Sequence, residues 1–159
     1  EPTEVIELSS MIHDKYPTYD VDAVVTARTV RPTRTFLEKA FLLCEEFQKV
    51  KPRTQRMTRH FYDMYKMAHT PYAEEALNDV ELYRRIVTHR ETYYHVHYVD
   101  YSRLLPESIS FLPPDHLMNN YKSDYQMMLQ EYIHDPVAPS FEELMQFMKE
   151  LQERFRKIQ

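Results

Sequence analysis

The stretch RTFLEKAFLLCEEFQKVKPRTQRMTRHFYDMYKM, residues 34–67, decides the fold because it contains two consecutive amphipathic helices. Apolar residues recur at intervals of three and four in both halves, a spacing that places them on one face of an α-helix. We predict a first helix over residues 35–49, opened by a capping box of Thr35 and Glu38. A basic loop that contains a proline ends this helix, and a second helix is predicted over residues 55–69.

The rest of the chain also favours helices, which we predict over residues 72–78, 81–93 and 115–133 and from Ser140 onward. Ser140 and Glu143 have the spacing of a second capping box. The last helix carries a strict three-four apolar stripe made of Phe141, Leu144, Met148, Leu151, Phe155 and Ile158. Such a stripe packs on the chain's own core or on a second helix in a coiled coil, and we favour the first interpretation.

Strand character is limited to short segments. Val5 and Ile6 have high β propensity, which predicts a strand over residues 5–8 before a helical turn capped by a serine. Residues 23–29 are β-branched and lack helical periodicity, which predicts a second strand. Residues 93–102 alternate and are predicted to be extended. The predicted fold class is therefore mainly α, a helical bundle with one or two short N-terminal strands.

Composition excludes several classes of protein. The chain has 159 residues and a net charge of -5, which fits one domain and gives no broad basic field for duplex nucleic acid. It has no glycine, so glycine-rich phosphate loops and the GxSxG nucleophile turn are excluded. Cys44 is the one cysteine, and no apolar run approaches the ~20 residues that span a membrane. We expect a reducing, cytoplasmic location.

Four cationic side chains on the two central helices are candidates for a site that holds a polyanion. Lys39 lies at the edge of the apolar arc of the first helix, whereas Arg56, Arg59 and Lys66 share the polar face of the second helix with Asp63. Across an antiparallel helix pair these cations would converge on a triphosphate, with Asp63 orienting one of them. The alternative is that Arg59 and Asp63 form a weak surface ion pair.

Metal and nucleophile chemistry are the weaker hypotheses. His95 and His97 would share one face of an extended segment, but the chain has no HExxH sequence and one cysteine cannot build a zinc knuckle. His134 and Asp135 resemble the HD pair of metal phosphohydrolases, yet a proline follows at once, which indicates coincidence. Cys44 lies on the apolar arc, where a thiol is normally an inert small hydrophobe. We predict no metal ligands.

The sequence RPTRTFLEKAFLLCEEFQ followed by RHFYDMYKM resembles the C-terminal helical part of the AbiEii/AbiGii-type nucleotidyltransferase toxins of bacterial abortive-infection and type IV toxin-antitoxin systems. The resemblance is close over residues 32–67 and weaker on both sides. It implies that Lys39, from RTFxEK, and Asp63, from the RHxYD helix, are catalytic residues. We predict that the two lie in one groove, within the ~8–10 Å that separates packed helices.

The same resemblance implies that Arg34, Lys39, Arg59 and His60 bind the nucleotide. It implies NTP and Mg²⁺ as the substrate and cofactor of a full-length enzyme that transfers NMP to an RNA or protein acceptor. One departure is Cys44, because the family often has a histidine five residues after the lysine.

The resemblance further implies a second half of the enzyme. Family members carry an N-terminal sheet whose GS...DxD motif binds the metal ions, and that motif is absent here. We therefore expect residues 1–31 to be the edge of a nucleotidyltransferase core, residues 32–159 to be the helical domain, and the chain to be inactive alone. Implied partners are the missing N-terminal nucleotidyltransferase domain, a cognate antitoxin and a nucleic acid acceptor such as tRNA, with no membrane. The alternative is a free-standing helical module for protein interaction without catalysis.

Overall fold

The computed structural model describes residues 2–19 and 24–159, and its N-terminal part is a two-stranded antiparallel sheet. The strands are β1 (Thr3–Leu8) and β2 (Val25–Val30), which pair along their full lengths. Both lie where β-branched residues predicted them, although residue 23 of the second predicted strand is outside the described residues.

Helices form most of the remaining described chain. They are α1 (Met11–Lys15), α2 (Pro32–Glu46), α3 (Thr58–Ala68), α4 (Pro71–Asn78), α5 (Val80–His89), α6 (Met118–Glu131) and α7 (Phe141–Phe155). A π-helical turn (Arg90–Tyr94) continues α5, and two 3-10 helices cover Tyr101–Leu104 and Asp115–Leu117. The predicted fold class, mainly α with short N-terminal strands, is confirmed. No helix in the described ranges is long and apolar enough to cross a membrane.

The central helix of the fold is α2, which packs against α3, α4 and α5. Its fully buried apolar residues are Phe36, Leu37, Ala40, Phe41 and Leu43. Burying one Leu or Phe side chain contributes about 1.5–3 kcal/mol. The wide apolar arc read from the sequence therefore anchors the core.

The start of α2 differs from the prediction. Pro32 occupies the first turn, and Arg31 is the N-cap without a side-chain cap hydrogen bond. The fixed φ of proline suits this position, and its missing N–H would have no helical partner there. The predicted capping box of Thr35 and Glu38 is wrong because both residues lie inside the helix, which also ends earlier than predicted, at Glu46.

The C-terminal helix α7 matches its prediction. The Ser140 hydroxyl accepts a hydrogen bond from the Glu143 N–H at 3.2 Å, and the Glu143 carboxylate accepts one from the Ser140 N–H at 2.8 Å. All six residues of the apolar stripe, from Phe141 to Ile158, are buried. The stripe therefore packs on the chain's own core.

Residues 93–102 are not extended, contrary to the prediction. The π-helical turn carries the chain to Tyr94, His95 then takes a left-handed conformation with φ 41°, and the 3-10 helix Tyr101–Leu104 follows. An alternating segment needs a neighbouring strand to form a ladder, and β1 and β2 already pair with each other. His95 and His97 consequently share no strand face.

The helix α6 also begins later than predicted. Asp115 starts a 3-10 turn, and the α-helix itself covers Met118–Glu131. Tyr121 and Tyr125 are buried, whereas Tyr132 is 65% exposed because it follows the last helical residue. Its ring is therefore accessible at the end of α6.

A buried ion pair joins α2 to the end of α5. The Arg90 guanidinium donates two hydrogen bonds of 2.6 Å to the Glu45 carboxylate, and these residues are 7% and 8% exposed. The Tyr94 ring lies 4.8 Å from the guanidinium carbon. Neither partner was predicted from the sequence. The sequence feature that could have indicated a buried ion pair is Glu45, a carboxylate directly beside Cys44 on the buried face of α2.

Candidate functional site

A direct contact between α2 and α3 brings the two residues implied to be catalytic together. The Lys39 ammonium donates a hydrogen bond to Asp63 Oδ2 at 2.7 Å. The predicted proximity of the two side chains is therefore confirmed. Their side chains are 20% and 46% exposed, so a ligand in solvent can reach both.

Arg59 and His60 precede Asp63 on α3. Burial, and then the positive charges of Lys39 and Arg59, lower the pKa of His60 to about 4, so the ring is neutral at pH 7. Its Nδ1 is buried and has no hydrogen-bond partner in the described part of the chain. Arg59 is exposed, and its guanidinium forms no ion pair within residues 2–19 and 24–159. Asp63 thus pairs with Lys39, and the predicted alternative of an Arg59 surface pair is wrong.

Arg59 and Asp63 also line an open groove between α3 and α6, which we name the α3–α6 groove. It has a volume of about 860 Å³ and is bounded by residues 54–56, by the exposed side of α3, and by residues between 119 and 133. Sites for small molecules usually occupy roughly 300–1,000 Å³. Because Asp63 contacts Lys39 and also lines the groove, it connects the Lys39–Asp63 pair with the groove.

Asp124 of α6 holds one wall of this groove in place. Its carboxylate accepts hydrogen bonds from the N–H groups of Arg56, Met57 and Thr58 and, at 2.6 Å, from the Thr58 hydroxyl. Arg56 has φ 58°, which lets successive N–H groups point at one anion. Asp124 therefore caps α3, which has no local side-chain cap and begins at Thr58, later than predicted.

Glu46 anchors the other end of the loop between α2 and α3. Its carboxylate accepts hydrogen bonds from the Lys49 ammonium at 2.7 Å and from the Arg53 N–H at 2.8 Å. Burial alone would raise the pKa of Glu46, but these partners outweigh burial and lower it. The Tyr121 hydroxyl donates to the Arg53 carbonyl at 2.5 Å. Neither these loop anchors nor Asp124 are predictable from a local sequence pattern, because each contacts residues outside its own helix.

Two of the predicted cations have other partners. The Arg34 guanidinium donates to Glu38 of its own helix at 2.9 Å, and its side chain is 12% exposed. The Lys66 ammonium donates to Asp135 at 3.0 Å. Neither cation is among the residues that line the α3–α6 groove in the described chain. Of the four cations predicted to converge, Arg56 and Arg59 line this groove, whereas Lys39 and Lys66 do not. A nucleotide-binding role for Arg34 stays a prediction.

Asp135 and Cys44 have structural roles. The Tyr62 hydroxyl, a backbone N–H and the Lys66 ammonium hold the pKa of Asp135 at about 2, so this carboxylate fastens the α6–α7 connection to α3. Cys44 is buried, its thiol lies 3.4 Å from the Arg103 carbonyl, and burial raises its pKa. Both interpretations made from the sequence agree with these contacts.

The described residues do not by themselves fit a Mg²⁺ site, because Mg²⁺ demands several oxygen ligands in near-octahedral geometry. The described ranges contain no group of three or more His, Cys, Asp or Glu side chains that could hold a metal ion. One literal DxD tripeptide does occur in the sequence, Asp20-Val21-Asp22. No glycine-serine pair precedes it, and it lies outside the described residues.

Comparison with known families matches residues 1–147 to AbiEii, described as "Nucleotidyl transferase AbiEii toxin, Type IV TA system". No curated protein matches the chain, and no solved structure matches it. The family match covers 147 of the 159 residues and includes both helices that form the Lys39–Asp63 contact. The chain therefore belongs to the AbiEii family of nucleotidyl transferase toxins of type IV toxin-antitoxin systems.

Proposed function

We propose that the helical part of this chain binds the triphosphate of an NTP, in an enzyme that transfers NMP from that NTP to an RNA or protein acceptor. The observation that carries the proposal is the 2.7 Å contact of Lys39 with Asp63, beside the exposed Arg59. Family membership supports nucleotidyltransferase chemistry and a cognate antitoxin as a partner. The charges of the site support the triphosphate as the ligand of this half.

Each side chain has a distinct part in phosphate binding. An ammonium has three N–H donors, and Asp63 takes one from Lys39, which leaves donors for phosphate oxygens. The planar Arg59 guanidinium suits two oxygens of one phosphate. Asp63 fixes the direction of the Lys39 side chain and faces the groove, where it would position the acceptor.

The metal ligands are proposed to come from elsewhere in the enzyme. Nucleotidyl transfer with two metal ions needs carboxylates that align the attacking and leaving oxygens. The described residues do not supply such a group. We assign it to an N-terminal nucleotidyltransferase domain with a GS...DxD motif, with residues 1–31 at its edge and residues 32–159 as the helical domain.

The test is a titration of the chain with GTP and with CTP, each with and without Mg²⁺, followed by NMR chemical shifts. We expect dissociation constants from roughly millimolar to high micromolar, which correspond to binding free energies of about 4 to 6 kcal/mol. Lys39→Ala should weaken binding about tenfold or more, since a hydrogen bond to a charged group contributes roughly 1.5–3 kcal/mol. The fold should persist because a partly exposed ion pair contributes only ~0–1 kcal/mol.

The matched control is Lys149→Ala, which removes an exposed lysine of α7 that does not line the groove. If the Lys39 and Lys149 variants lost nucleotide affinity equally, the nucleotide would be attracted to positive charge in general, and the proposal would be contradicted. Absence of binding by the wild type would contradict it as well. If this chain transferred nucleotides to RNA unaided, the assignment of the metal ligands to another domain would be wrong.

A further inference from the structure

The α3–α6 groove contains two arginine side chains without a protein partner. Arg56 and Arg59 both line it, and neither guanidinium forms a hydrogen bond or ion pair in the described ranges. The backbone of Arg56 is fixed to Asp124, so its side chain emerges from an anchored wall. Two free guanidinium groups on one wall are suited to an anion with several oxygens.

The C-terminal half of α6 gives the same groove an apolar side. Met127 and Tyr132 line it and are 56% and 65% exposed. Asn119 and Asn120 add side-chain amides that have no hydrogen-bond partner among the described residues. Aromatic rings stack on nucleobases, and amides can hydrogen-bond to base edges.

The other charges of the groove narrow the choice of ligand. Asp124 already occupies the N–H groups at the start of α3, so an anion must use the arginine side chains. The carboxylates of Asp63 and Glu131 also line the groove, which disfavours a bare polyanion. A ligand with one phosphate and a neutral aromatic body fits this balance.

We propose that the α3–α6 groove binds a nucleoside monophosphate unit, with its phosphate on Arg56 and Arg59 and its base against Met127 and Tyr132. The volume of about 860 Å³ accommodates such a unit. This subsite rests on the proposed function insofar as it shares Arg59 and Asp63 with the triphosphate site. The unit has two possible sources, the nucleoside end of the donor NTP and the terminal nucleotide of an RNA acceptor.

The test is an NMR titration of the folded chain with CMP, with ribose 5-phosphate and with a short single-stranded RNA. We expect CMP to shift the amide signals of residues 119–132. Tyr132→Ala should weaken the binding of CMP about fivefold or more, which corresponds to the lower end of base–aromatic stacking energies. It should leave the binding of ribose 5-phosphate unchanged. Arg56→Ala should weaken both ligands. Tyr93→Ala is the matched control, because that tyrosine is 75% exposed and lies outside the groove.

The sources are distinguished by the RNA arm. If the chain binds RNA more tightly than CMP and Tyr132→Ala removes this difference, the groove holds the acceptor. If Tyr132→Ala weakens binding of CMP and CTP and the chain does not bind RNA, the groove holds the donor. Equal effects of the Tyr132 and Tyr93 variants would overturn the inference, and so would CMP shifts confined to residues that do not line the groove. Lys39→Ala should weaken the binding of CTP and leave the binding of CMP unchanged. The experiment therefore distinguishes an error in the proposed triphosphate site from an error in this subsite.

Discussion

Replacing Asp124 by alanine tests how the groove is built. The change removes the acceptor for three backbone N–H groups and for the Thr58 hydroxyl, which is the only cap that α3 has among the described residues. The Arg56 N–H belongs to an exposed residue that lines the groove, so it can turn to water. The Thr58 hydroxyl cannot, because that residue is 0% exposed and its other partner is a thioether sulfur at 3.9 Å.

The expected loss of stability follows from these two contributions. Loss of an N-cap costs about 1 kcal/mol. A buried hydroxyl left without a strong acceptor costs roughly 1–3 kcal/mol. We therefore expect Asp124→Ala to lower the free energy of unfolding by about 3 kcal/mol, which for a domain of this size lowers Tm by roughly 6–12 °C.

Thermal and urea denaturation of Asp124→Ala and of Glu131→Ala measure this difference. Glu131 is an exposed carboxylate of the same helix and lines the same groove, so its loss should change stability by less than about 0.5 kcal/mol. In a Thr58→Val background the Asp124 replacement should cost roughly 1–3 kcal/mol less, because no hydroxyl is then left unpaired. Equal costs for Asp124 and Glu131 would refute the capping role and, with it, the anchored position of Arg56.

Three further perturbations have defined outcomes. Arg90→Met should lower the free energy of unfolding by about 3–5 kcal/mol in urea, because it strands the buried Glu45 carboxylate, and the double change with Glu45→Leu should recover most of that loss. His60 has a pKa of about 4 in the folded chain and 6.5 as its ordinary value, so the unfolded state binds more protons between these limits and stability falls as the pH drops through that window. His60→Gln should flatten this part of the curve, measured as urea midpoints against pH, and an unchanged slope would contradict the assignment. Ser140→Ala should cost about 1 kcal/mol in thermal denaturation and Ser140→Asp almost none, since aspartate also caps a helix.

Local periodicity was sufficient to predict the helices that carry a strong apolar face. The stripe of α7 and its Ser140 cap were read correctly because the side chains that decide them lie within a few residues of each other. The start of α2 was misplaced because Pro32 and the Thr35 pattern are both valid start signals, and the structure uses the proline. The Lys39–Asp63 contact was predictable because the family resemblance places both residues at one site and their helices follow each other along the chain.

The groove was not predictable because its parts are distant in sequence. Asp124 lies more than sixty residues after the N–H groups that it caps, and no short-range pattern relates them. The left-handed conformation of Arg56 depends on that remote carboxylate, so propensity alone would assign it to the helix. The exposure of Tyr132 likewise depends on where α6 ends, and helix ends are the least certain part of a sequence prediction.

The charges around Asp63 explain why we expect weak binding from this chain. Lys39 and Asp63 neutralise each other across the helix pair, and His60 is uncharged at pH 7 because burial and the neighbouring cations lower its pKa to about 4. Arg59 is thus the uncompensated cation beside the pair in the described structure. A triphosphate carries several negative charges, so one net positive charge can orient it without holding it tightly. Under the proposed function, tight binding would require positive charge from outside this cluster, which metal ions held by the carboxylates of the proposed N-terminal domain would supply.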